Sequence, residues 1–318
     1  MNIRNTPLIK INYKYNDEKC YIYSKLESYN ITGSIKDRVV EYIIKKAIEN
    51  GELKTGMMLY EATSGNTGIA LAAIGAKLGH KVHIFMPDWV SQERIKIMKM
   101  YGANITLFSK DEGGFSKCIK EAQDASLKNN GYYLNQFENL DNVYAHYETT
   151  GKELINEIPE KIDGFVAGVG TGGTLMGVGK RLKETNKNIV IAALEPSIMP
   201  MLSKNKIYGE HKIEGIGDEF VPKIVDKTQI DEIILVDDND AINMAKLLSR
   251  KLGLGVGISS GANFLGAVLL KNKIKNNVAT VFVDDNKKYL STDLSKDVVN
   301  DAKFVSNHIE LLGYEIVQ

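Results

Sequence analysis

From about residue 35 onward, stretches with a helical hydrophobic period alternate with short apolar runs rich in Val, Ile and Phe. Such runs are what parallel strands buried on both faces look like, and the intervening helices cover those faces. The pattern predicts strands at residues 57–62, 82–86, 105–108, 132–135, 165–169, 189–194, 233–236 and 280–283, with helices in most of the gaps. Ser34 is placed to cap a helix over residues 35–49 that Asn50-Gly51 closes, and a helix over residues 65–78 stops at Gly79. The opening Thr6-Pro7-Leu8-Ile9-Lys10-Ile11 reads as an additional strand, free to pair with either half. The fold class expected is α/β, with parallel-rich sheets flanked by helices.

Length sharpens that picture. At 318 residues the chain has room for two domains sharing a cleft. No linker or repeat divides it, so the boundary is inferred from two clusters of glycine-rich turns and placed near residue 145, giving domains 1–145 and 146–318, with the first strands free to pack on the second. A composition of 43% hydrophobic and 25% charged residues excludes extended disorder and low-complexity scaffolds. Forty basic residues balance forty acidic ones, which argues against a dedicated binder of nucleic acid or anionic membrane. Cys20 and Cys118 lie far apart with no CxxC spacing, so neither a disulfide framework nor a cysteine zinc site is expected. Met1-Asn2-Ile3-Arg4-Asn5 has no apolar signal core, and the longest apolar stretch, near residues 264–270, is far short of a membrane span. A cytoplasmic location follows as an expectation.

Three segments concentrate groups that can do chemistry. Glu61-Ala62-Thr63-Ser64-Gly65-Asn66-Thr67-Gly68 follows a strand and opens a helix, so hydroxyls and unpaired N–H groups converge there on an anion. Ala167-Gly168-Val169-Gly170-Thr171-Gly172-Gly173-Thr174 repeats the arrangement with more glycine, letting backbone approach a phosphate without an intervening Cβ. The second segment also satisfies GxGxxG through Gly168, Gly170 and Gly173, and Glu195 ends the next strand, so a nicotinamide dehydrogenase with Glu195 on the ribose is a rival reading. The third is Asn30-Ile31-Thr32-Gly33-Ser34-Ile35-Lys36-Asp37-Arg38, where the positive potential at a helix start tends to depress a lysine pKa and so allows Schiff-base chemistry, although a lysine read alone is more often a solvated charge.

Taken in chain order, residues 30–38, 61–68 and 167–174 resemble the lysine motif, substrate loop and phosphate loop of the cysteine synthase family, which includes O-acetylserine sulfhydrylase and the catalytic core of cystathionine β-synthase. The resemblance runs from Asn5-Thr6-Pro7-Leu8 to Lys288-Tyr289-Leu290-Ser291-Thr292. It takes in Asn135-Gln136-Phe137, Thr149-Thr150-Gly151, Gly215-Ile216-Gly217 and Gly257-Ile258-Ser259-Ser260-Gly261. It implies a two-domain fold-type II enzyme, similar to the tryptophan synthase β subunit, that uses pyridoxal 5'-phosphate. Lys36 would hold the cofactor as an internal aldimine. Gly170, Thr171, Gly172, Gly173 and Thr174 would hold its phosphate, Asn66 its ring hydroxyl and Ser259 its pyridine nitrogen. Thr63, Ser64, Thr67 and Gln136 would bind the substrate carboxylate. The lysine and substrate loop then belong to domain 1–145 and the phosphate loop to domain 146–318, and Glu195 is not a ribose ligand. The resemblance also implies a homodimer and raises association with serine acetyltransferase.

The implied reaction is β-replacement through an aminoacrylate intermediate, with Lys36 moving the α-proton. Gly215-Ile216-Gly217-Asp218-Glu219-Phe220 departs from the family, whose sulfhydrylases usually have small residues where Asp218 and Glu219 stand. An inward carboxylate repels hydrosulfide but can take a proton from water or a thiol. Asp218, directly after the Gly-Ile-Gly turn, is the favoured base. The favoured direction is therefore L-cysteine to hydrogen sulfide plus L-serine, or plus L-lanthionine when a second cysteine attacks. The alternatives are a cysteine synthase working on O-acetyl-L-serine and sulfide, and a noncatalytic scaffold that binds cofactor or amino acid. Val283-Asp284-Asp285-Asn286 is a second departure, with no role assigned. His80, His83, His146, His211 and His308 show no metal spacing, so no metal is expected. Asp237-Asp238-Asn239-Asp240 reads as a helix start rather than a calcium loop.

Overall fold

The computed structural model describes residues 5–297 and 301–317, so most of the amino-terminal segment 1–5 on which the absent signal was argued lies outside the described residues. In chain order the elements are β1 (Leu8–Tyr15), β2 (Glu18–Leu26), α1 (Lys36–Glu49), β3 (Leu59–Ala62), α2 (Asn66–Leu78), β4 (Val82–Pro87), α3 (Gln92–Met100), β5 (Asn104–Phe108), α4 (Gly114–Lys128) and β6 (Tyr132–Tyr133). They continue as α5 (Asp141–Glu148), α6 (Thr150–Glu157), β7 (Gly164–Gly168), α7 (Gly173–Thr185), β8 (Val190–Pro196), β9 (Glu232–Val236), α8 (Asp238–Leu252), α9 (Ile258–Ile274), β10 (Val278–Phe282) and β11 (Ile309–Val317). Each of the eight expected strands is present, with ends shifted by a few residues.

The strands form a four-stranded parallel sheet, β5-β4-β3-β6, and a seven-stranded sheet, β11-β1-β2-β10-β7-β8-β9. The first strand joins the larger sheet, settling the pairing that its sequence left open. It runs antiparallel to β2 and β11, while β2, β10, β7, β8 and β9 are parallel to one another. Side-chain alternation sorts the cores. In the smaller sheet Leu59 and Ile84 point to α1 and α2, while Tyr60 and Phe85 point to the opposite face, with Cys118 and Ala122 of α4. In the larger sheet Ile9, Ile11 and Ile22 pack with α8 and α9, whereas Leu8, Tyr23 and Phe165 pack with α6 and α7. Residue 145 falls inside α5, which packs on both α1 and α7.

Both forecast helices near the site are present. The first begins one residue later than expected, with Ile35 rather than Ser34 at the cap, although Ser34 Oγ still accepts from Lys36 N–H at 3.3 Å. Asn50 and left-handed Gly51 close it, and left-handed Gly79 closes α2. Asp237 caps α8 by accepting from the N–H groups of Asn239 and Asp240. Cys20 and Cys118 are both free thiols. Among the described residues no helix is long and apolar enough to cross a membrane; the apolar stretch 264–270 lies within α9.

A buried ion cluster sets the entry of α1. Arg38 bonds Glu27 through Nε and Glu153 through Nη1, each at 2.6 Å, and Lys25 Nζ lies 3.0 Å from Glu153. Burial alone would raise the Glu153 pKa, but Arg38 and Lys25 overcome it and hold the carboxyl at about 2. Removing one partner from such a cluster leaves a buried charge uncompensated. The first turn of α1 is thereby tied to β2 and α6, and Lys36 is oriented two residues upstream of Arg38.

Candidate active site

Lys36 is the first residue of α1. It keeps some surface open, yet surrounding protein is dense enough that burial pushes its amine down to about 8, against the pull of Asp218 and Asp284. Burial is the largest contribution, rather than the helix end invoked from sequence. An amine in this range is partly neutral near pH 7 and is suited to nucleophilic and proton-transfer work.

The loop before α2 supplies polar groups from the smaller sheet. Gly65 N–H donates to Thr63 Oγ1 at 3.0 Å, and Thr67 Oγ1–H donates to Gln136 Oε1 at 2.6 Å, while Gln136 Nε2 donates to the Ala62 carbonyl at 2.8 Å. Thr63, Thr67 and Gln136 are thus buried on one small constellation, with Ser64 more open beside them. Beneath it Glu61 is fully buried, and burial raises its pKa to about 8 even though the Ala62 and Gln136 N–H groups bond it. It therefore adds little negative charge under the loop at neutral pH, which leaves the loop receptive to an anion.

The glycine loop after β7 faces it from the larger sheet. Gly172 has φ +89, a left-handed cap before α7. A Cβ on Gly170 would run into the Gly215 carbonyl, and one on Gly173 into the Asn142 side chain. Asn142 Nδ2 donates to Thr171 Oγ1 at 3.0 Å and to the Gln136 carbonyl at 2.8 Å, so the two loops share one brace. His146 lies between Thr150 Oγ1 at 3.1 Å and Thr174 Oγ1 at 3.2 Å. Burial, then Lys36 and Arg38, depress its pKa well below the usual value, so the ring is neutral and fixes the Thr174 hydroxyl. A side-chain-free cradle that ends on the first turn of a helix fits a phosphate. Gly170→Ala is expected to overpack this cradle at a cost of about 1–3 kcal/mol. Titration of the cofactor by absorbance should then show affinity lower by about tenfold or more, and unchanged affinity would remove the cradle.

Glu195, the ribose candidate of the rival reading, is committed elsewhere. Its carboxylate accepts from Leu202 N–H at 2.7 Å and from Ser203 N–H at 3.1 Å, capping the chain after β8. Ser259 is buried in the first turn of α9. Asn66, at the start of α2, donates from Nδ2 to Asp284 Oδ2 at 2.8 Å and accepts from Lys288 Nζ at 3.0 Å. Asp284 also accepts from Tyr289 Oη–H at 2.9 Å, while its Oδ1 is buried without a partner. The unpartnered Oδ1 lies against Gly257, while the carboxylate as a whole is close enough to Lys36 to favour its charged form.

Asp218 is brought to the lysine by its loop. Gly217 N–H donates to the Val169 carbonyl at 2.9 Å, the Gly217 carbonyl is 2.6 Å from His211 Nε2, and Phe220 packs edge-on against Phe137 at 5.2 Å. Held between these points, the Asp218 carboxyl rises to about 6, because burial outweighs the opposing pull of Lys36. Glu219 is exposed. The structure therefore brings together Lys36, Asn66, the two anion loops and Asp218. Sequence reasoning assigned no site role to Asn142, His146, Asp284, Lys288 or Arg94. The only prior signals were the i,i+4 spacing of His146 and Thr150 and the odd Val283-Asp284-Asp285-Asn286 turn.

A glycine cradle for phosphate, a buried reactive amine and an anion loop between two parallel-rich sheets define a fold-type II enzyme. The profile of the pyridoxal-phosphate-dependent enzymes matches residues 1–284, and the chain belongs to that family. Its relatives are of the cysteine synthase kind. Cysteine synthase B of Campylobacter jejuni is 42% identical over 294 residues, covering 92% of this chain and 96% of the relative. A hydrogen sulfide-producing enzyme from Fusobacterium nucleatum is 49% identical with a TM-score of 0.95, over 99% of this chain and 97% of that one. An Asp-to-Asn mutant of a hydrogen sulfide-producing enzyme, complexed with an α-aminoacrylate intermediate, is 50% identical with a TM-score of 0.95, over 98% of this chain and 95% of that one. The protein is an enzyme that depends on pyridoxal phosphate and performs cysteine synthase-type β-replacement. These findings set aside both the dehydrogenase and the noncatalytic scaffold.

Proposed function

We propose that the enzyme converts L-cysteine and water to hydrogen sulfide and L-serine, with L-lanthionine formed when a second cysteine replaces water. Bound pyridoxal phosphate supplies the electron sink that lets the Cα proton leave and the Cβ–S bond break. Residues 170–174 would hold its phosphate, Asn66 and Ser259 would address its ring, and Lys36 would be the lysine that carries it. Thr63, Ser64, Thr67 and Gln136 take the substrate carboxylate, which points the Cα–H bond at Lys36. The freed Lys36 amine accepts that proton and returns it after the new bond forms at Cβ. Asp218 accepts the proton of the attacking water.

The observation that carries the direction is the half-buried Asp218 carboxyl placed close enough to Lys36 to interact with it, its pKa raised to about 6 by burial. Ionised at neutral pH, it opposes entry of hydrosulfide and has the proton affinity to deprotonate a neutral nucleophile. The hydrogen sulfide-producing relatives support the same direction, and one of them was captured with its intermediate when an aspartate became asparagine. The sequence relatives named cysteine synthase favour synthesis from O-acetyl-L-serine and sulfide as the second reading.

Product identification decides between them. L-Cysteine alone in heavy-oxygen water is expected to give sulfide and serine labelled at its hydroxyl, with lanthionine rising as cysteine concentration rises. O-Acetyl-L-serine with sulfide should give cysteine with the lower kcat/KM. A higher kcat/KM for the second pair would make the enzyme a cysteine synthase.

A further inference from the structure

Arg94 occupies an unusual position for a guanidinium. It is on α3, beside the smaller sheet, yet is only 1% exposed. Its Nη1 donates to the Ser64 carbonyl at 3.3 Å and also bonds Glu214 Oε2. Its Cζ lies 4.7 Å above the Tyr289 ring. The aliphatic stem fills the space that a Cβ on Gly65 would need. One side chain thus touches the backbone of the proposed substrate-carboxylate loop and the residue that opens the Asp218 loop.

The rest of α3's first turn grips the same side of the cleft. Ser91 Oγ–H donates to the Lys288 carbonyl at 2.8 Å, and Ser291 Oγ–H donates to Glu93 Oε2 at 2.6 Å. Those contacts hold α3 against the segment after β10, but neither reaches the Asp218 loop. Glu214 is the link that does, only four residues before Asp218.

We infer that the Arg94–Glu214 ion pair is a positioning device, transmitting the placement of the carboxylate loop at Ser64 to the loop that aims Asp218 at the attacking nucleophile. The physical basis is geometric. Arg94 is buried and Glu214 half-buried, and an ion pair at a buried guanidinium fixes the separation and orientation of the two backbones it joins, because leaving the guanidinium unpartnered is costly. A small misplacement of a proton acceptor slows the step it serves without preventing substrate from binding. The inference rests on Asp218 acting as the base in the second half of the reaction, after sulfide has left.

The test compares holoenzyme wild type, Glu214→Gln, Glu214→Asp, Arg94→Lys, the Arg94→Lys/Glu214→Gln double variant and Asp218→Asn, mixed rapidly with L-cysteine. Cofactor absorbance reports that each protein is folded and loaded. Glu214→Gln is expected to release its first equivalent of sulfide at a rate within about twofold of wild type and then to turn over about 10- to 100-fold more slowly. Glu214→Asp, which keeps the charge, should recover part of the loss, and the double variant should lose no more than the worse single one. Wild-type turnover in Glu214→Gln would overturn the inference. So would a parallel fall in the first release and in turnover, or losses that multiply in the double variant. Asp218→Asn separates the two layers. If it turns over normally, the base assignment fails and takes the inference with it. If it stalls after one equivalent while Glu214→Gln does not, only the inference fails.

Discussion

Lys36→Ala should reduce steady-state turnover by about 10⁴-fold, the upper range for loss of a positioned proton-transfer group. The glycine cradle is untouched by this change, so the variant should still take up pyridoxal phosphate, but without a covalent tie to the chain. Borohydride treatment followed by peptide mass mapping checks this. Wild type should be labelled at Lys36 and the variant should not. The informative competitor is Lys288, a second buried amine, bonded to Asn66 and to the Gly33 carbonyl and likewise depressed by burial. Its amine is occupied by two acceptors, the Gly33 carbonyl and Asn66 Oδ1. Labelling of Lys288 in the wild-type protein would overturn the assignment of Lys36.

Asp218→Asn carries the second large effect. Asparagine keeps the shape but cannot accept a proton, so turnover with L-cysteine should fall by about 10² to 10⁴-fold. Release of the first equivalent of sulfide should continue, because that step uses Lys36. The sign of the pH dependence follows from the raised carboxyl. The base is competent only when ionised, so wild-type turnover should rise with pH through about 6 and level off above it. In Asp218→Asn that acidic limb should vanish along with the fast turnover. A variant that keeps both would show that Asp218 is not the base. Because the same carboxyl binds its proton more tightly folded than its ordinary value of 3.8, its ionisation also lowers stability as pH rises between 3.8 and about 6.

The local readings were legible for different reasons. β3, β4, β7, β8 and β10 stood out because strands buried on both faces must be apolar on both sides. β2 and β11 did not, since their sequences, Glu18-Lys19-Cys20-Tyr21 and Glu310-Leu311-Leu312-Gly313, mix charge into half-exposed antiparallel positions. The two anion loops could be read from glycine and hydroxyl spacing alone, because that chemistry is local backbone geometry. His146 was passed over because nothing in its neighbours along the chain shows that Thr174, 28 residues on, comes within 3.2 Å. Arg94 and Glu214, 120 residues apart, were equally silent.

The order of the chain thus determined the alternation of strands and helices, the lysine at the head of α1 and the two loops able to receive anions, all properties encoded within about ten neighbouring residues. Only the tertiary structure decided that Asp218, already favoured from its place after the Gly-Ile-Gly turn, comes close enough to Lys36 to interact with it, that Asn66 is held between Asp284 and Lys288, and that β1 and β2 complete the larger sheet. The reason is that burial sets these outcomes: whether a carboxyl keeps its proton, or a guanidinium finds its partner, depends on which distant segments exclude water from it.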